Sequence, residues 1–176
     1  MRNTKSKNKK GFSLVEVLIA LTILTVGLVS VSNLMVLNIQ GSISDRDQNI
    51  ASMLGQEAVE LVQNIKDNNK ASGKANQFQY INNGTCRINY DFVYDVQTMD
   101  CLAGAPASYY KLNFINGTGY THAAGSATKF YRKLVISDMG DNKFLSVYVS
   151  WNGTGIPGTC NLKNKCMVID AILANN

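Results

Sequence analysis

Three hydrophobic rhythms follow one another along this 176-residue chain. From Phe12 to Ile39 apolar residues fall on every side of a helical projection, and Glu16 is the one charged residue among them. Such a run is long enough to cross a bilayer, which takes roughly 20 apolar residues in a helix. The second rhythm is carried by Ile43, Ile50, Met53, Leu54, Ala58, Leu61, Val62 and Ile65. These recur mostly at three- and four-residue steps, with Asp45, Arg46, Gln48, Glu57, Glu60 and Lys66 between them. That is the pattern of a helix with one buried stripe. No proline interrupts Phe12–Asn69, so one helix of about 87 Å can run through both segments. Gly27, Gly41 and Gly55 weaken it, each by about 1 kcal/mol against alanine. They either allow close helix packing or mark places where the helix melts locally.

Asn68, Asn69, Ser72 and Gly73 form a cluster of turn-formers that predicts the helix stop. Beyond it the period falls from 3.6 to 2. Strands are predicted at Phe78–Ile81, Cys86–Tyr94, Tyr109–Ile115, Phe130–Ser137, Lys143–Trp151 and Met167–Leu173, most of them rich in Val, Ile, Tyr and Phe and bounded by turn residues. The clearest pair is Tyr131–Ile136 with Phe144–Val149, joined across Asp138–Asn142 as an antiparallel hairpin. A sheet with one apolar face needs a cover, and the amphipathic helix supplies it. The predicted fold class is therefore α+β: a long N-terminal helix, its second half packed on a C-terminal antiparallel β-sheet. Residues 12–39 form the membrane or core helix, 40–69 its amphipathic continuation, and 70–176 a β-rich head.

Charge changes this picture only at the start. The chain has 17 Lys+Arg against 12 Asp+Glu, a formal net charge of +5. Arg2, Lys5, Lys7, Lys9 and Lys10 account for the whole excess, leaving twelve basic and twelve acidic residues in the remainder. A general electrostatic grip on nucleic acid loses its support in that neutral body. The basic start does fit the cytoplasmic flank of a membrane helix, which places the rest of the chain outside. A secretory signal peptide is the competing reading, but the apolar run is too long and lacks a small-residue cleavage site before a polar mature start.

Glu16 is the anomaly. An acidic side chain in the bilayer centre costs about 2.5–3.5 kcal/mol on insertion scales and marks a functional position. It needs a cation, and no side chain in the apolar run offers one. A free α-amino group at Phe12 would, if the chain were cut after Gly11.

With those residues in place, Lys10-Gly11-Phe12-Ser13-Leu14-Val15-Glu16 resembles the processing site of type IV prepilins and of the pseudopilins of type II secretion. The resemblance implies the pilin fold and a leader, residues 1–11, removed by a membrane prepilin peptidase that cuts between Gly11 and Phe12. It implies N-methylation of Phe12 and pairing of Glu16 with the N-terminal amine of a neighbouring subunit during assembly. Pairing offsets part of the desolvation that either charge would suffer alone. The implied partners are the prepilin peptidase, other pilin subunits, an inner-membrane assembly platform and the lipid bilayer. The implied course is a single-pass protein of the cytoplasmic (inner) membrane that later enters a surface pilus. Val15–Leu28 looks most like minor pilins of the PilV-like group. Many major pilins kink this helix with proline, and this chain has none there. A pseudopilin, or a competence pilin that binds DNA or a surface, shares the same N-terminus.

The remaining candidates are weaker. Cys86, Cys101, Cys160 and Cys166 lack the Cys-x₂₋₄-Cys spacing usual in zinc sites and lie on the side where disulfides persist. Three connectivities are possible. The local pairs Cys86–Cys101 and Cys160–Cys166 are favoured, because each closes a loop between or beside strands. Asn83, Asn116 and Asn152 each head an Asn-Gly-Thr triplet, a glycosylation sequon that is also an Asn-Gly turn, and turn chemistry explains all three. Asp138 and Asp141 fall short of a calcium cage. Lys129, Arg132, Lys133 and Lys143 lie near Phe130, Tyr131 and Phe144, either as a DNA-binding patch or as a solvated strand face. His122 has no nucleophile beside it in the sequence. Nothing resembles a catalytic constellation, and neither an enzyme nor a cofactor is expected.

Overall fold

The computed structural model describes residues 13–91 and 96–175, so Gly11 and Phe12 lie outside the described residues. Helix α1, Leu14–Ala71, has 58 residues. It passes through two compact units that divide between Ser44 and Asp45. In the first unit every described side chain is exposed from Ser13 to Ser44. Gly27 and Gly41 continue the helix there, with nothing within 4 Å of where a Cβ would stand.

In the second unit α1 buries Asp47, Ala51, Leu54, Gly55, Ala58, Leu61, Val62, Ile65 and Asn69. Steps of three and four put these on one face, the stripe that the sequence pattern predicts. The helix stops on its own backbone chemistry. Gly73 adopts φ +68°, the Gly73 N–H donates to the Lys70 carbonyl at 3.0 Å, and the Lys74 N–H donates to the Asn69 carbonyl at 3.1 Å. Together these make a Schellman cap, in which glycine takes the left-handed position without a Cβ penalty.

The stripe lies on a seven-stranded, wholly antiparallel sheet: β1 Gly84–Asp91, β2 Val96–Cys101, β3 Lys111–Ile115, β4 Gly119–Thr121, β5 Ser126–Met139, β6 Asn142–Ser150 and β7 Cys166–Leu173. Strand β5, 14 residues long, organises it. One edge of β5 pairs first with β3, from Phe114↔Ser126 to Lys111↔Tyr131, and then with β1, from Cys86↔Leu134 to Gly84↔Ile136. Its other edge pairs with β6, and β6 with β7. Leu54 and Val62 of the helix meet Ile88, Leu112, Leu134, Leu145, Val147 and Val149 of the strands in one core. This is the α+β arrangement that the pilin resemblance implies. The helix comes close to the sheet at Gly55, where a Cβ would lie 2.5 Å from Ile169 Cδ1. At that glycine close packing against the sheet accounts for the missing side chain.

Two predicted elements are corrected, and one strand is added. Phe78–Ile81 is a run of turns. The Gln79 N–H bonds to the Asn76 carbonyl, the Ile81 N–H to the Phe78 carbonyl, and the Asn69 amide donates to the carbonyls of Gln77 and Gln79. With its backbone groups met locally, the segment has no need of a ladder, although Ile81 still reaches the core. Tyr109 and Tyr110, predicted in a strand, belong to a 3₁₀ turn, Ala107–Tyr110, that follows Pro106. The predicted strand Cys86–Tyr94 is β1 as far as Asp91, and residues 92–94 lie outside the described residues; β2 follows, which the pattern did not predict. Among the described residues β2 pairs with β1 alone; exposed Thr98 and Asp100 alternate with half-buried Met99 and Cys101, which pack against the core, a two-residue period that the sequence reading passed over. The β5–β6 hairpin is tighter than expected. Met139 pairs with Asn142, and Gly140 at φ +63° begins the two-residue turn.

Candidate assembly helix and the charged groups of the head

The first turn of α1 is laid out by two residues. The Ser13 carbonyl accepts from the N–H groups of Glu16, at 3.0 Å, and Val17, at 3.2 Å, so Ser13 occupies the N-cap position and Glu16 is the third helical residue. A carboxylate there faces the unsatisfied N–H groups and positive end of the helix dipole. Glu16 is exposed, and so is every described residue from Ser13 to Ser44. Leu14 is 76% exposed, Val26 68% and Met35 65%. In water this would be a continuous apolar surface far larger than a soluble protein tolerates.

The polar side chains within it are largely closed on themselves. Thr22 and Thr25 donate their hydroxyls to the carbonyls three residues back, and Ser30 and Ser32 to those four residues back, at 2.7–2.9 Å. Hydroxyls satisfied inside the helix place no demand on the surroundings, the condition for entering lipid or a helix bundle. What is left in the first turns is an apolar rod with one carboxylate near its start.

In the head, the four basic residues of the candidate DNA patch are separated. Arg132 is wholly buried. Its Nη1 donates to the Leu54 carbonyl at 3.1 Å and to Glu57 Oε1 at 3.0 Å, and its Nη2 donates to the Ile88 carbonyl at 2.9 Å. It bolts α1 to β1 through the core and has nothing to offer a phosphate. Lys129 pairs with the buried carboxylate of Asp47. Lys143 donates to Asn83 Oδ1 at 2.7 Å and Asp138 Oδ1 at 2.8 Å. Lys133 stands over the Tyr148 ring at 4.8 Å, and burial lowers its ammonium pKa. Phe130 and Tyr131 are buried. No stacking platform beside a basic stripe is assembled by these seven residues, the arrangement that single-stranded nucleic acid needs.

Asp138 is likewise committed. Lys143 and the Asn83 amide both donate to its carboxylate, and those hydrogen bonds hold its pKa below the ordinary aspartate value. His122 has its Nδ1 3.1 Å from the Lys111 carbonyl; since a carbonyl only accepts, Nδ1 carries the proton. Burial, assisted by the positive charge of Arg132, pushes its pKa down to about 3. It is a neutral structural imidazole. The cysteines are paired Cys86–Cys101, directly opposite each other in β1 and β2, and Cys160–Cys166, closing the loop that leads into β7.

Sequence reasoning missed the buried role of Arg132, although a signal was there. Phe130, Arg132, Leu134 and Ile136 alternate along one strand, which puts the guanidinium on the apolar face. The N-cap at Ser13 was also legible: Ser13 and Glu16 stand at capping-box spacing ahead of an apolar run.

Comparison with known proteins bears on the N-terminal segment alone. Residues 6–32 match the family model described as the prokaryotic N-terminal methylation motif. No curated protein and no solved structure matches the chain. The matched segment contains Gly11, Phe12 and Glu16, and it supports a type IV pilin-like prepilin, a subunit of a pilus or of a secretion pseudopilus. The exposed apolar half of α1 is long and apolar enough to cross a membrane, and with the motif it is consistent with inner-membrane anchoring before assembly.

Proposed function

We infer that the chain is a minor pilin, a structural subunit of a type IV pilus or related filament that works by assembly and not by turnover. The observation that carries this reading is the fully exposed apolar half of α1 with Glu16 in its first turn, which begins inside the methylation motif of residues 6–32. In this reading prepilin peptidase removes residues 1–11, and Phe12 becomes the N-methylated mature terminus. The apolar helix then waits in the inner membrane and leaves lipid for a bundle of like helices at the assembly platform. Glu16 sets the stagger, because its carboxylate finds an ammonium only when a neighbour's N-terminus is level with it. Desolvating either charge alone is costly, so misaligned packing is penalised.

Glu16→Ala tests the role. The variant is expected to insert into the membrane and be processed normally, while its amount in sheared surface filaments falls about tenfold or more, since loss of one buried ion pair is worth at least 1.4 kcal/mol. Normal incorporation of Glu16→Ala would overturn the registering role. Wild-type protein that stays in the membrane fraction and never appears in sheared filaments would favour the pseudopilin reading.

A further inference from the structure

The triplet Asn-Gly-Thr occurs at Asn83, Asn116 and Asn152. Asparagine followed by glycine carries a latent reaction: the glycine N–H, unshielded by a side chain, can attack the asparagine amide. The covalent potential of the three sites is the same, and the fold treats them differently.

Asn83 is clamped. Its Nδ2 donates to the Asp138 carboxylate, its Oδ1 accepts from Lys143 at 2.7 Å, and Gly84 is already paired in β1 opposite Ile136. Asn152 is half-buried, and its Oδ1 accepts three hydrogen bonds, from the N–H and hydroxyl of Thr154 at 2.9 and 3.1 Å and from the Gly155 N–H at 3.1 Å. Asn116 differs from both. It is exposed, as is Gly117, at the tip of the β3–β4 hairpin. The Thr118 N–H closes the turn onto the Ile115 carbonyl at 3.1 Å, and Gly117 has φ +82°, as a type II turn requires at that position. Among the described residues no side-chain hydrogen bond holds the Asn116 amide.

We propose that Asn116 is the site of spontaneous deamidation in the folded head. The Gly117 backbone nitrogen gives up its proton to hydroxide and attacks Cγ of Asn116, forming a five-membered succinimide. The C–Nδ2 bond breaks and the nitrogen leaves as ammonia, taking up a proton. Water then opens the ring at either carbonyl, giving aspartate or isoaspartate; the net reaction is amide plus water to acid plus ammonia. The product places a negative charge on the hairpin tip, and the iso form adds a methylene to the turn backbone. The reaction needs only water, whereas sugar transfer would need an enzyme and a lipid-linked donor.

The test is incubation of the full chain, folded in detergent micelles at mildly alkaline pH, with peptide mass spectrometry of all three triplets over time. Asn116 is expected to convert about tenfold or more faster than Asn83 and Asn152, because theirs are the amides that must break hydrogen bonds first. In the reduced, alkylated and denatured chain the three rates are expected to converge to within about threefold, the restraints having gone. Asn83 or Asn152 keeping pace with Asn116 in the folded protein would overturn the proposal. So would a preference for Asn116 that persists undiminished in the unfolded chain, since the fold would then not be its cause.

Discussion

The two halves of α1 are the same secondary structure built for different surroundings. From Leu14 to Ser44 the helix exposes every side chain, and from Asp45 onward it buries a nine-residue stripe against a sheet. The first half has apolar residues all round and turns its hydroxyls onto its own backbone. The second half is two-faced, and its buried polar side chains are tied to partners in the head: Asp47 to Lys129, Asn69 to the carbonyls of Gln77 and Gln79. The lesson is that helicity says little about role. A stripe of apolar residues finds its partner within the chain, whereas an apolar cylinder must find one outside it, in lipid or in other subunits.

Substitutions that sharpen this contrast can be ranked by expected effect on head stability, followed by urea unfolding of the full chain in detergent. Arg132→Ala comes first. It strips partners from two carbonyls and from Glu57, and removing one member of such a buried network costs about 3–5 kcal/mol. Val26→Ala, in the exposed half, is expected to change head stability by less than about 0.5 kcal/mol. Equal losses from the two variants would erase the distinction between the halves.

Second is the pH response. His122 binds its proton in the folded head only near pH 3, but near pH 6.5 when unfolded. The unfolded state therefore takes up the proton first, and stability falls as pH drops from about 6.5 toward 3. The expected slope from this group is about 1.4 kcal/mol per pH unit across that window. His122→Asn keeps a donor for the Lys111 carbonyl and is expected to remove that slope, leaving the part that belongs to the carboxylates. An unchanged slope would mean that the imidazole is not the group responsible.

The smallest effect comes from the glycines. Gly55→Ala sets a methyl against Ile169 and Val149, an overpacking cost of about 1–3 kcal/mol that outweighs a helix-propensity gain of about 1 kcal/mol. At Gly27 and Gly41 a methyl meets nothing in this unit, so alanine there is expected to leave the head unfolding midpoint where it was. A stabilising Gly55→Ala would show that the helix does not approach the sheet so closely.

Much of this was legible because local chemistry and the tertiary outcome agree. The stripe from Ala51 to Ile65, the glycine cap at Gly73 and the strand pair around Gly140 each carry their own signal of period, left-handed glycine or alternation. Elsewhere tertiary partners overrode local pattern. Phe78–Ile81 reads as a strand by composition, yet the Asn69 amide, from the preceding helix, holds it as turns. Strand β2 does alternate, with Met99 and Cys101 against the core and Thr98 and Asp100 exposed, but Gln97 and Asp100 leave it poor in the residues that mark a strand. Arg132 was grouped with neighbouring lysines by its charge, when its parity along β5 was the better guide. At the N-terminus, by contrast, the reading rests on a short motif whose meaning is chemical, a cut site followed by an acid in an apolar helix.

The central claim is that the apolar half of α1 is the assembly element of a processed prepilin. It is tested most directly by the intact and N-terminal peptide masses of the chain expressed with and without prepilin peptidase. The account predicts that with the peptidase the mature chain begins at N-methylated Phe12, and that without it the leader is retained. A chain that keeps residues 1–11 in the presence of active peptidase would contradict it, and would leave α1 as a plain membrane anchor.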